Sequence, residues 1–90
     1  MIIKPDIRIV ILQRGWVMVG HYSKNKAQCA LDGASVIRYW GTTKGLGQLA
    51  KDGPTPNTKL DPTNGRIEFH ELTVIATIAC EVEPWQKHCS

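Results

Sequence analysis

Ser35–Pro54, SVIRYWGTTKGLGQLAKDGP, contains the change of period on which the fold depends. Its first half, with Val36, Ile37, Tyr39 and Trp40, is β-branched and aromatic, the composition of a strand. Beyond Gly41, Leu46, Leu49 and Ala50 fall at i, i+3 and i+4, the spacing of one buried helical stripe. Thr42 or Thr43 is placed to cap that helix by accepting from its first free N–H groups, and Gly53 with Pro54 ends it. One short helix near 43–52 is predicted. Gly45 and Gly47 each weaken it by up to about 1 kcal/mol, so it depends on Leu46 and Leu49 docking against a sheet.

Upstream, the chain reads as a meander. Ile7, Ile9 and Ile11 interleave with Val10 and Leu12, so both faces are apolar after Arg8, as in a central, well-covered strand. Arg14-Gly15 is a turn pair, and Trp16–Tyr22 is a second strand with Val17 and Val19 facing one way and Trp16, Met18 and Tyr22 the other. Ser23–Lys26 reads as a polar turn and Ala27–Leu31 as a third strand. Asp32-Gly33 is a further turn signal, leading into a fourth strand over Ser35–Trp40.

Downstream, Thr58–Asp61 is a short edge strand blunted by Pro62, Asn64-Gly65 a hairpin turn, and Arg66–His70 a strand. Leu72, Val74, Ala76, Ile78 and Cys80 alternate with Thr73, Ile75, Thr77 and Ala79, the pattern of a half-buried strand. Residues 82–90 read as a polar C-terminal tail anchored by Trp85. The expectation is a single domain over 1–90 of α+β class, mostly antiparallel β, forming a small, partly open barrel that limits exposed strand edges.

Composition narrows the class. In 90 residues, 42% hydrophobic and 21% charged, there is material for one modest core. No apolar run approaches the roughly 20 residues of a membrane-spanning helix, and Pro5 and Asp6 interrupt the region where a signal peptide needs unbroken apolar sequence. Three cysteines, Cys29, Cys80 and Cys89, cannot all pair within one chain, which favours free thiols in a reducing, cytoplasmic setting. Cys29 and Cys80 lie in strand patterns and are predicted buried; Cys89, in the tail, is predicted exposed. A net charge of +3 with scattered Lys and Arg excludes a DNA-mimicking acidic surface and permits a nucleic-acid partner without requiring one.

Two resemblances bear on context. GW-x-x-VG-x-Y (Gly15 to Tyr22), IR-x-WGT-x-x-GLG-x-LA-x-x-GP (Ile37 to Pro54) and T-x-LD (Thr58 to Asp61), with Trp85, resemble small phage and prophage proteins of unknown function. That resemblance transfers no catalytic residue; it implies a virus-encoded accessory protein in the cytoplasm of a host bacterial cell. Leu12 to Ile37, with Gly15, Val17-x-Val19-Gly20, a polar turn, Leu31, Ala34 and Val36-Ile37, is similar to the first half of Sm-like and SH3-type small barrels. The RNA-contacting second half of the Sm-like family has no counterpart, so only the barrel is implied.

Candidate chemistry is sparse. Thr42, Thr43, Lys44, Gly45 and Gly47 at a helix start, with Arg38 on the preceding strand, have the makings of an anion site, although the spacing is not a P-loop. Trp16, Tyr22, Tyr39 and Trp40 would serve as a stacking platform or an interface anchor if exposed; at least two of the four are predicted to be core. Cys80, His88 and Cys89 with His70 lack the paired spacing of a zinc site, and no Ser or Cys sits in a nucleophile motif. No metal, cofactor or catalytic centre is expected. The favoured function is non-catalytic binding of a host protein through Arg38, Trp40, Thr42, Thr43, Lys44, Gly45, Gly47, Trp16, Tyr22 and Trp85, with the phage resemblance implying inhibition of a bacterial defence system. The rivals are a nucleic-acid or nucleotide binder at the strand–helix junction and a phage structural or morphogenesis component. None of these involves a membrane, and all are compatible with a homo-oligomer.

Overall fold

The computed structural model describes residues 6–63 and 65–89. Strands β1 (Ile7–Leu12), β2 (Val17–Asn25) and β3 (Gln28–Tyr39) are followed by helix α1 (Leu46–Asp52). Then come β4 (Lys59–Pro62), β5 (Ile67–His70), a 3-10 turn at Glu71–Thr73, β6 (Val74–Ala79) and helix α2 (Val82–Trp85). The sheet has six strands in the order β4-β3-β2-β1-β6, with β5 also on β3, and every pairing is antiparallel. The α+β class, the mostly antiparallel strands and the central, two-sided burial of β1 match the sequence reading, and the sheet is open. Among the described residues, no helix is long and apolar enough to cross a membrane.

The Asp32-Gly33 turn signal lies within one extended path. The predicted third and fourth strands are a single strand, β3, of 12 residues, and Asp32-Gly33 does not reverse the chain. The β2–β3 register passes from Val19–Ser35 to His21–Asp32, which leaves an extra residue on β3. Gly33, at φ 59°, takes the left-handed conformation that such a bulge needs. The same Asp-Gly chemistry serves a turn or a bulge, and here the long pairing with β2 selects the bulge. The polar turn is correspondingly narrower, because β2 continues to Asn25 and only Lys26 and Ala27 separate it from β3.

The predicted reversal at Asn64-Gly65 is also corrected. β4 runs along Ser35–Tyr39 and β5 along Gln28–Leu31, both antiparallel to β3, so the chain continues in one direction between them. Thr63 donates to the Ala34 carbonyl at 3.0 Å, and the Arg66–Asp32 ion pair at 3.1 Å bridges the bulge. Asn64 itself lies outside the described residues.

Each face of the sheet carries a core. On one, Ile7, Ile9, Val17, Val19 and Ile37 pack beneath Leu49 and Ala50 of α1, with Trp85 and Cys89 completing the layer. On the other, Val10, Leu12, Met18, Leu31 and Ala34 are buried with Ile67, Phe69 and Val74 against them. Among the described residues no helix contributes to that second cluster, yet Val10 is fully buried. Leu31 and Ala34 of β3, with Ile67 and Phe69 of β5, share that cluster with Val10 and Leu12 of β1. β6 serves both cores through a bulge: the pairing steps from Ile11–Ala76 to Leu12–Val74, which turns Val74 to the face opposite Ile78.

Residues 82–89 are folded, which corrects the polar-tail reading. Val82, Trp85 and Cys89 have helical spacing and enter the first core. Trp85 is fully buried and donates its Nε1–H to the Leu49 carbonyl at 2.7 Å. Cys89, predicted exposed, is buried beside it. α1 begins at Leu46, later than predicted, and neither Thr42 nor Thr43 caps it; the cap position is Gly45.

Candidate binding surface

The end of β3 and the loop after it form a shallow recess of about 340 Å³, lined by Arg38, Tyr39, Trp40, Gly41 and Thr42. Its floor is built by the backbone. Gly41 turns the chain at φ +65°, and a Cβ there would lie 2.5 Å from the Asn57 carbonyl carbon, so the 55–58 loop closes directly on it. Three hydrogen bonds tie that loop down: Thr55 Oγ1 to the Gly41 carbonyl at 2.9 Å, Thr58 Oγ1 to the Trp40 carbonyl at 2.6 Å, and the Thr55 N–H to Thr58 Oγ1 at 2.8 Å. The Trp40 ring lies over Gly45, while Thr42 Oγ1 donates to the Gly45 carbonyl at 3.0 Å.

Among the side chains lining the recess are two exposed aromatics, Tyr39 and Trp40, and the cation Arg38. Trp16, Tyr39 and Trp40 keep 56%, 60% and 42% of their surface in solvent. Trp16 stands just before β2, whose pairing with β3 ends at Met18–Val36. Arg38 is held by Asp61 at 2.9 Å, a solvent-exposed pair that orients the guanidinium more than it stabilises the fold. The prediction that at least two of the four aromatics are core is overturned: three are exposed and Tyr22 is half-buried. Ile, Val and Leu from β1, β2 and β3 already fill both cores.

The sequence candidates separate into groups. Arg38, Trp40 and Thr42 line the recess with Tyr39 and Gly41, whereas Trp16 is exposed but is not part of its lining. Thr43, Lys44, Gly45 and Gly47 do not line it. The Lys44 N–H is taken by Gln48 Oε1 at 3.0 Å, and Thr43 Oγ1 lies 3.3 Å from the same oxygen. Tyr22 belongs to the second core, its hydroxyl donating to Cys29 Sγ at 3.6 Å and its ring 5.6 Å from the Arg8 guanidinium. Trp85 is core and presents no surface to a partner. Gly41, the recess's structural pivot, was legible only as a break between strand and helix.

Among the described residues, no group of three or more His, Cys, Asp or Glu is placed to hold a metal ion. His70 is engaged in local structure, its Nδ1 accepting from the Leu72 N–H at 3.1 Å. Burial pushes the Cys80 thiol up to about 12 and the Cys89 thiol to about 11. At pH 8 fewer than about one in a thousand of either is thiolate, the reactive form. Native protein is therefore expected to resist Ellman's reagent at pH 8 and to expose all three thiols in urea. Because the folded thiols titrate above their ordinary value of 9.0, their contribution is intact below pH 9 and is lost as pH rises towards 11 and 12. The urea midpoint is expected to fall over that range.

No protein-family model and no curated protein matches this chain.

Proposed function

We propose that the chain is a binding domain that works without turnover, on a partly open barrel of SH3 or Sm-like type. The cluster that residues of β1, β2, β3 and β5 form around the fully buried Val10, with no helix among its described members, supports the barrel reading. The exposed Tyr39 and Trp40 lining one recess with Arg38, set on a hydrogen-bonded loop frame, support the binding reading, and the exposed Trp16 adds a further aromatic surface. Aromatic residues and Arg are the residue types that carry most binding energy in protein interfaces, where their rings leave water at little entropic cost.

More particularly, the domain is a phage-type accessory protein that engages a host protein, with inhibition of a bacterial defence system as its role. The sequence resemblance supports the setting; the surface supports a protein partner over nucleic acid, because Asp61 already offsets the charge of Arg38 and Lys44 lies outside the recess. Affinity capture from bacterial lysate tests this. The parent chain is expected to retain a protein partner at both low and high salt. Trp40→Ala is expected to weaken binding at least tenfold, about 1.4 kcal/mol or more. Retention of nucleic acid that falls steeply with salt and with Arg38→Ala would instead establish the nucleic-acid binder.

A further inference from the structure

Among the described residues, β6 is the last strand of the sheet and pairs with β1 alone. The Cys80 N–H donates to the Ile7 carbonyl at 2.9 Å, which sets the parity of that ladder. Antiparallel partners exchange bonds at alternate residues. Cys80, Ile78 and Ala76 therefore direct their N–H and C=O groups to β1, and Thr77 and Ala79 direct theirs outward. Among the described residues no backbone group meets them there.

The two edges of the sheet are made differently. The β4–β5 edge carries Lys59, Asp61, Pro62 and Glu68, with Arg66 between the strands, the charges and proline that discourage further pairing. β6 reads VIATIA, with no charge and no proline, and is apolar on both faces like an interior strand. Ile75 nevertheless keeps 64% of its surface exposed, and Ala76 and Ala79 are exposed as well.

We propose that the outer edge of β6 pairs antiparallel with β6 of a second copy, giving a two-fold dimer with one continuous sheet. A second copy is the occupant these features select. A strand paired antiparallel with itself is two-fold symmetric, so each outward donor meets an outward acceptor of the same strand. With Thr77 opposite Ala79 of the second copy, the two Ile78 side chains meet across the axis in the closely spaced position of the ladder. Ile78 packs against the helix-covered core, so the contact extends that core. The pairing uses 76–80 and leaves the bulge outside. The strand contributes no charge of its own to the contact, which the Arg8 guanidinium flanks through its 3.2 Å bond to Thr77 Oγ1. This inference does not depend on what binds at the end of β3.

Light scattering on the full chain over a dilution series, with amide exchange, tests it. The parent is expected to be a dimer that dissociates on dilution, with the Thr77 and Ala79 amides protected only in the dimer. Ala79→Pro removes an outward N–H and leaves the β1 ladder intact; Ala79→Lys places a charge on the edge. Both are expected to be monomeric where the parent is a dimer, with unchanged far-UV circular dichroism. If Ala79→Pro does not fold, Ala79→Lys decides. A parent monomeric at every concentration overturns the proposal, as does a dimer that persists in Ala79→Lys or one whose Thr77 and Ala79 amides exchange freely.

Discussion

Trp85→Ala is expected to remove about 3–5 kcal/mol of stability, a large share of the roughly 5–15 kcal/mol that a small domain possesses. The residue is fully buried, and it joins the C-terminal segment to α1 and the sheet. Its Nε1–H also closes on the Leu49 carbonyl, which accepts from the Gly53 N–H at 2.9 Å as well. α1 has only seven residues, too short to hold without that cover. Trp85→Phe keeps most of the ring and loses one hydrogen bond, worth about 1 kcal/mol, while Gly53 still satisfies Leu49. The two variants are therefore expected to separate clearly in urea denaturation, with Trp85→Ala far the weaker. Equal midpoints would show that residues 82–89 do not support the core.

Gly41→Ala is the second large effect. At φ +65° an alanine is strained by about 1 kcal/mol or more. Its Cβ would also stand 2.5–2.7 Å from the backbone of Asn57 and Thr58, which no rotamer change relieves. The 55–58 loop must move, breaking the bonds from Thr55 and Thr58 that define the recess. Gly15→Ala is the matched control: φ is +78°, but nothing lies within 4 Å of the added carbon. Gly15→Ala is expected to lower the urea midpoint slightly and leave partner binding intact. Gly41→Ala is expected to lower it several times further and to abolish binding even under conditions where the protein remains folded. Similar midpoints for both would mean that the loop contact is slack.

What could be read from the residues divides along physical lines. β1 was legible to the residue because both of its faces are apolar, and α1 was legible in its buried stripe of Leu46, Leu49 and Ala50. Asp32-Gly33 misled because a bulge and a turn ask for the same positive φ; only the length of pairing available across β2 distinguishes them. The regular alternation from Leu72 to Cys80 concealed a bulge for a similar reason, since Val74 and Ile78 share a parity but serve opposite cores. In the C-terminal segment, the spacing of Val82, Trp85 and Cys89 carried the helical signal, overshadowed by the polar residues between them.

The candidate surface was half legible. Arg38, Trp40 and Thr42 were identifiable as neighbours of a strand end, but whether the aromatics faced solvent depended on how much aliphatic side chain the two faces of the sheet could gather. The loop contact through Gly41 brings together residues 14 or more positions apart and has no local signature.

The most direct measurement is photo-crosslinking in bacterial cells with p-benzoylphenylalanine placed at Tyr39, beside the same probe at Glu68 on the opposite end of the β4–β5 edge. A discrete protein adduct at position 39, absent at 68 and lost when Trp40→Ala is added, is the expected result. No adduct at 39, or the same adducts at both positions, would contradict a binding surface at the end of β3.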